Sequence, residues 1–129
     1  MGTKGKQFFI AIVDDEAAVR EATESLLRSA GLPAETFASA EDFLRSPYRD
    51  RAGCLILDVG LPGMSGLELQ RLLTANGEQI PIVFITAHEG RHDQTKAQAL
   101  QAGAVEFLRK PFSEEDLLSA VRSSIRTDD

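Results

Sequence analysis

At 129 residues the chain is long enough to bury one core without staples. A net charge of −6 excludes the electrostatic footprint of a nucleic-acid or acidic-membrane binder. The single cysteine excludes an internal disulfide and fits a reducing compartment. No apolar run approaches membrane-spanning length, and Met1 to Lys6 lacks the shape of a signal peptide; residues 1–6 are expected to be flexible.

Phe8 to Val13 is continuously apolar and reads as a strand covered on both faces. It stops at Asp14-Asp15-Glu16. A helical stripe follows in Val19, Ala22, Leu26, Leu27 and Ala30, with Asp15 placed to cap it and Gly31 to stop it. Ala34 to Phe37 is a short second strand. Ser39 and Asp42 open a helix bearing Phe43 and Leu44, limited by Pro47, and Tyr48 to Arg51 is a polar connection.

Cys54 to Leu57 is the third strand and delivers Asp58 to a loop punctuated by Gly60, Pro62, Gly63 and Gly66. Ser65 and Glu68 form a capping box ahead of Leu69, Leu72 and Leu73, and Asn76-Gly77 closes that helix. Pro81 to Ile85 is the fourth strand, ending at Thr86-Ala87-His88. Glu89 to Gln94 reads as loop, followed by a helix carrying Ala97, Leu100 and Ala99 and ending at Gly103. Val105 to Leu108 is the last strand, ending at Arg109-Lys110-Pro111. Ser113 and Asp116 cap a final helix with Leu117, Leu118, Val121 and Ile125.

Five apolar strands alternating with five helices predict an α/β fold, a parallel sheet with helices on both faces. Ligands in such sheets lie at the carboxyl ends of the strands. Those ends carry Asp14 and Asp15, Asp58, Thr86 and Lys110. Clustered carboxylates repel, and a hard cation such as Mg2+ relieves them. An ammonium and a hydroxyl beside them suit phosphoryl oxygens, and a lone carboxylate suits a covalent acceptor.

Asp14-Asp15, Asp58 with Leu61-Pro62-Gly63-Met64-Ser65-Gly66, Thr86-Ala87, and Lys110-Pro111-Phe112 resemble the receiver domain of bacterial response regulators over residues 7–126, leaving 127–129 as a tail. The wording around Leu55 to Asp58 and Gly103 to Leu108 is most like receivers of nitrogen-fixation-type regulators and hybrid sensor kinases. The resemblance implies a flavodoxin-like doubly wound (βα)5 fold with strand order 2-1-3-4-5. It implies that Asp58 accepts a phosphoryl group from a phosphohistidine on a histidine kinase or phosphotransfer protein. Asp15, Asp58 and the Gly60 carbonyl would hold Mg2+ or Mn2+, with Asp14 acting through a metal-bound water. Lys110 and Thr86 would contact the phosphoryl group, Phe107 would be the aromatic switch, and Lys110-Pro111 would be cis. The signal would be a shift between two conformations read on the face of the fourth helix, fifth strand and fifth helix, a face that also leaves room for a homodimer. The implied module is cytoplasmic, with no membrane or nucleic-acid contact of its own, and its chemistry is confined to its own phosphorylation and dephosphorylation.

Two features depart from that pattern. Gly60 stands where receivers usually carry a side chain, which predicts phosphate loss governed by His88 and other flanking groups. The stretch from Thr86 to Gly103 is about two residues longer than usual. Cys54 reads as a buried small hydrophobe, and His88 and His92 as solvated loop histidines. A Mg2+-dependent aspartyl-phosphate phosphatase is the enzymatic alternative, but it wants an acid where Gly60 stands. A flavodoxin-like cofactor binder wants a glycine- and hydroxyl-rich loop where this chain has three acids. A receiver-like scaffold that is never phosphorylated is the third.

Overall fold

A computed structural model describes residues 8–87 and 92–125. The expected N-terminal segment 1–6, the tail 127–129 and His88 lie outside these residues. Five strands, β1 (Phe9–Val13), β2 (Ala34–Phe37), β3 (Ala52–Asp58), β4 (Ile82–Thr86) and β5 (Glu106–Arg109), alternate with five helices. These are α1 (Ala17–Ser29), α2 (Ala40–Arg45), α3 (Gly66–Ala75), α4 (His92–Gln101) and α5 (Glu114–Ile125). A 3-10 turn, Arg49–Arg51, occupies the polar connection before β3. The strands are parallel in the order β2-β1-β3-β4-β5.

The apolar runs become strands because both of their faces are covered. In β1, Ala11 and Val13 face one layer and Ile10 and Ile12 the other; in β3, Leu55 and Leu57 oppose Cys54 and Ile56 in the same way. The first layer takes Phe43 of α2, Leu69 and Leu73 of α3 and Ala99 of α4, and the second takes Leu27 of α1 and Leu117 and Val121 of α5. Each large side chain fully buried this way contributes about 1.5–3 kcal/mol.

The caps at Ser39 and Ser65 form as expected, Ser39 Oγ accepting from Asp42 N–H and the Ser65–Glu68 box closing in both directions. Ser113 Oγ likewise accepts from Asp116 N–H at 2.9 Å. Several expectations are corrected. Asp15 does not cap α1: Glu16 holds that position without a side-chain hydrogen bond, and Asp14 Oδ1 accepts the Glu16 N–H instead. Residues 92–94, expected in a loop, begin α4, so His92 is not a loop histidine. On α4 it is Ala99 that is buried, while Ala97 and Leu100 are exposed. The buried Gln70 of α3 donates to the Ala99 carbonyl at 3.2 Å, so α4 is fixed partly by a polar contact that hydrophobic periodicity cannot reveal. On α1, Thr23 is buried and Ala22 exposed, the reverse of the apolar stripe. Strand β3 starts two residues earlier than the apolar run, and β5 is displaced by one to Glu106–Arg109.

Candidate functional site

The parallel register carries the chemistry-bearing residues to one rim. Asp58 ends β3 opposite Ile85 of β4, and Thr86 ends β4 opposite Arg109 of β5, with Lys110 next in sequence. Asp14 follows the last residue of β1. Its N–H donates to the Phe37 carbonyl at the end of β2, which extends the strand pairing by one residue.

Burial differs sharply among the acids. Asp14 is wholly inaccessible and Asp58 nearly so, whereas Asp15 is exposed. Each offers a carboxylate oxygen within 4.8 Å of the others. The Lys110 ammonium lies 3.1 Å from Asp14 Oδ2, 3.4 Å from Asp58 Oδ2 and 3.2 Å from Glu16 Oε1. The loop after β3 holds the other oxygen of the acceptor candidate: Gly60 N–H donates to Asp58 Oδ1 at 3.0 Å. Asp58 is therefore gripped on one oxygen by backbone and on the other by a side-chain cation.

The charges are not balanced by this one ammonium. Burial raises the Asp58 pKa; the Gly60 N–H opposes the rise, Asp14 adds to it and Lys110 opposes it. For Lys110, burial works against the charged form, but Asp14, Asp58 and Glu16 together outweigh it and the pKa is raised. Asp14 Oδ2 meets the ammonium at 3.1 Å without receiving a well-directed hydrogen bond. A buried carboxylate oxygen left short of donors, among three acids, is what a hard divalent cation with oxygen ligands satisfies. The donor set fits Mg2+, and Asp14, Asp15 and Asp58 are the side chains that could hold it.

Thr86 is half-buried at the rim, and its carbonyl accepts the Lys110 N–H at 2.7 Å. Phe107 sits inside the sheet layer, its ring 6.1 Å from that of Phe84. The Lys110-Pro111 peptide is cis. An apolar cleft of about 620 Å³, lined by Val19, Ala22, Leu26, Pro111 and Phe112, opens beside Lys110. Three contributors escaped sequence reasoning. Glu16 pairs with Lys110, Arg20 donates to the Asp14 carbonyl at 2.9 Å, and Glu41 accepts the Met64 N–H at 3.1 Å. Only Glu16, in the acid run, carried any sequence signal. Among the described residues no helix is long and apolar enough to cross a membrane.

The response regulator receiver domain model matches residues 10–122. The response regulator protein TodT of Pseudomonas putida F1 is 52% identical over 117 residues, covering 91% of this chain and 51% of that protein. The transcriptional regulatory protein FixJ of Azorhizobium caulinodans is 37% identical over 116 residues, covering 90% of the chain and 54% of that protein. TodT shares more of this sequence than FixJ does. Among solved structures, the response regulator StyR superposes with a TM-score of 0.86 at 48% identity, over 93% of this chain and 60% of that one. The structure described as FixJ-N superposes with a TM-score of 0.84 at 34% identity, over 94% and 95%. The chain spans about half the length of the curated relatives it matches. A family match over nearly the whole chain, relatives at this identity and the shared strand order lead to one conclusion: the chain belongs to the response regulator receiver domain family.

Proposed function

We propose that Asp58 is the phosphoryl acceptor of this receiver, supplied by a phosphohistidine on a histidine kinase or phosphotransfer protein. The observation that carries the reading is the Lys110 ammonium held between Asp14 and Asp58, residues that only the fold brings together. A carboxylate oxygen of Asp58 attacks phosphorus, the phosphorus–nitrogen bond breaks, and the imidazole leaves with the electron pair. The Gly60 N–H, by engaging Oδ1, fixes the carboxylate plane. Lys110 is placed to turn from carboxylate to phosphoryl oxygen, and the Thr86 hydroxyl is the further donor there.

Asp15, Asp58 and the Gly60 carbonyl would hold Mg2+ or Mn2+, with Asp14 reaching it through water. When bound, the cation neutralises charge gathering on the phosphoryl oxygens. Phe107 and Thr86 would then couple the rim to the face of α4, β5 and α5, shifting a pre-existing equilibrium. The chemistry is confined to the chain's own phosphorylation and dephosphorylation, and the receiver would act in the cytoplasm.

The test is incubation with Mg2+ and acetyl phosphate followed by intact-mass measurement. A single phosphoryl mass gain, abolished by Asp58→Ala, is expected. A gain that survives this substitution would remove Asp58 from the role.

A further inference from the structure

The loop between β3 and α3 carries Gly60, whose N–H orients Asp58 and whose carbonyl belongs to the proposed metal site. Its two ends are fixed by backbone. Val59 N–H donates to the Ile85 carbonyl and Gly66 N–H to the Val59 carbonyl. A Cβ at Gly66 would stand 2.5 Å from the Asp58 carbonyl oxygen, so the loop's far end presses on the acceptor's own backbone. In the middle, Leu61 is buried in the core and Met64 packs against it, which leaves the backbone of Gly63 and Met64 still to be held.

That hold comes from α2. The helix is short, but its seat is firm. Ala40 and Phe43 are fully buried, Phe43 meets Phe37 edge-on at 5.4 Å, and Ser39 caps the first turn. Glu41, in that turn, projects across the gap, and its Oε2 accepts the Met64 N–H at 3.1 Å. The same oxygen would lie 2.9 Å from a Cβ at position 63, where Gly63 has φ +73°. Two facts of different kind, a hydrogen bond across 23 residues and a left-handed glycine beneath the same carboxylate, describe one close fit.

From this we infer that Glu41 is a positioning residue for the acceptor site. By clamping Gly63 and Met64 it fixes the loop that presents Gly60, and so sets Mg2+ affinity and the rate at which Asp58 is phosphorylated. The inference rests on the metal and acceptor roles proposed above. It makes no use of the charge of Glu41, only of its acceptor oxygen and its length.

Glu41→Gln and Glu41→Asp separate these properties. Glutamine keeps the length and an acceptor oxygen and loses the charge. Aspartate keeps the charge and withdraws the oxygen. Mg2+ affinity is read by calorimetric titration of the unphosphorylated chain, and loop fixation by amide hydrogen exchange at Met64, which needs neither metal nor phosphodonor. Glu41→Asp is expected to weaken Mg2+ binding on the order of tenfold, to slow acetyl-phosphate labelling in proportion, and to speed Met64 exchange, with Glu41→Gln staying within about threefold of the unaltered chain. Urea unfolding should show both variants folded.

An aspartate variant that binds Mg2+ like the unaltered chain would overturn the inference. So would a glutamine variant as weak as the aspartate one, since charge and not the clamp would then be responsible. If a substituted chain fails to fold, Met64 exchange in the unaltered chain decides: slow exchange supports the clamp and unprotected exchange overturns it. If Asp58 takes no phosphoryl group while Glu41→Asp still weakens Mg2+ binding, the acceptor reading fails and the clamp stands.

Discussion

Lys110 Nζ lies 3.1 Å from Oδ2 of Asp14, across 96 residues of sequence and from the opposite side of β3. Asp14 is wholly buried, and among the described residues this ammonium is the cation paired with its carboxylate. Lys110→Met removes it and leaves Asp14 and Asp58 facing each other. Breaking a buried pair from one side costs about 3 kcal/mol in urea unfolding, and saturating Mg2+ should restore part of that loss. Phosphoryl acceptance is expected to fall on the order of a hundredfold, because a cation at the developing charge is lost as well. Acceptance at the unaltered rate would remove Lys110 from the site.

Burial holds the Asp58 carboxyl above the ordinary aspartate range. A raised carboxyl favours the fold while protonated, so its contribution is complete below the unfolded value and disappears as pH rises through the folded one. At neutral pH, without metal, the Asp58 anion therefore weighs against folding. Asp58→Asn should be more stable than the unaltered chain at pH 7. The advantage should shrink as the pH falls toward about 4, where the unfolded aspartate also takes up a proton. Paired urea titrations at the two pH values check the sign. In the unaltered chain Mg2+ should raise stability by about 2.7 kcal/mol at a hundredfold excess over its dissociation constant, and Asp58→Asn should blunt that gain.

Two glycines within eight residues of Asp58 should behave oppositely. A Cβ at Gly66 meets Asp58 and Val59 backbone at 2.5 and 3.1 Å, and backbone cannot step aside. Gly66→Ala should cost about 1–3 kcal/mol of stability. A Cβ at Gly60 has nothing closer than Asp58 Oδ1 at 3.9 Å, and the residue is exposed. Gly60→Arg should fold with stability within about 0.5 kcal/mol of the unaltered chain. Its effect should appear in the lifetime of the phosphorylated form, and equal lifetimes would show that this departure from the family pattern has no kinetic weight.

Cys54 is fully buried, and desolvation pushes its thiol up to about 11 against the partial relief of a hydrogen bond with Ser124 and one with the Leu55 backbone. The native thiol should resist aromatic disulfide reagents at pH 8 and react at once on unfolding. Its raised value contributes stability that is present below about pH 9 and lost as the pH climbs toward about 11. The stability difference between the unaltered chain and Cys54→Ala should narrow over that window.

The strands were legible because a parallel sheet buries both faces, and runs such as Ile10 to Val13 and Leu55 to Leu57 announce that directly. The caps at Ser39 and Ser65 were legible because donor and acceptor are three residues apart. The start of α1 was not. Asp14 and Asp15 are adjacent and share the same capping chemistry, and only the depth of β1 decides which is buried and which is turned outward. Helix α4 was misread for a related reason. Alanines carry little hydrophobic signal, and Ala99 is drawn inward beside a carbonyl that Gln70, 29 residues away, requires. Glu41 was invisible because sequence logic assigns the acids after Ser39 to the cap, while its partner Met64 lies in another element.

Asp58 ends the central strand of five, hydrogen-bonded to neighbours on both sides, whereas Lys110 follows β5 at the sheet's edge. Local opening begins at edges and reaches central strands only near global unfolding. The Asp58 carboxylate is thus anchored in the most persistent part of the domain and its ammonium partner in one of the most easily loosened. A receiver built this way can release and recapture its cation without disturbing the carboxylate.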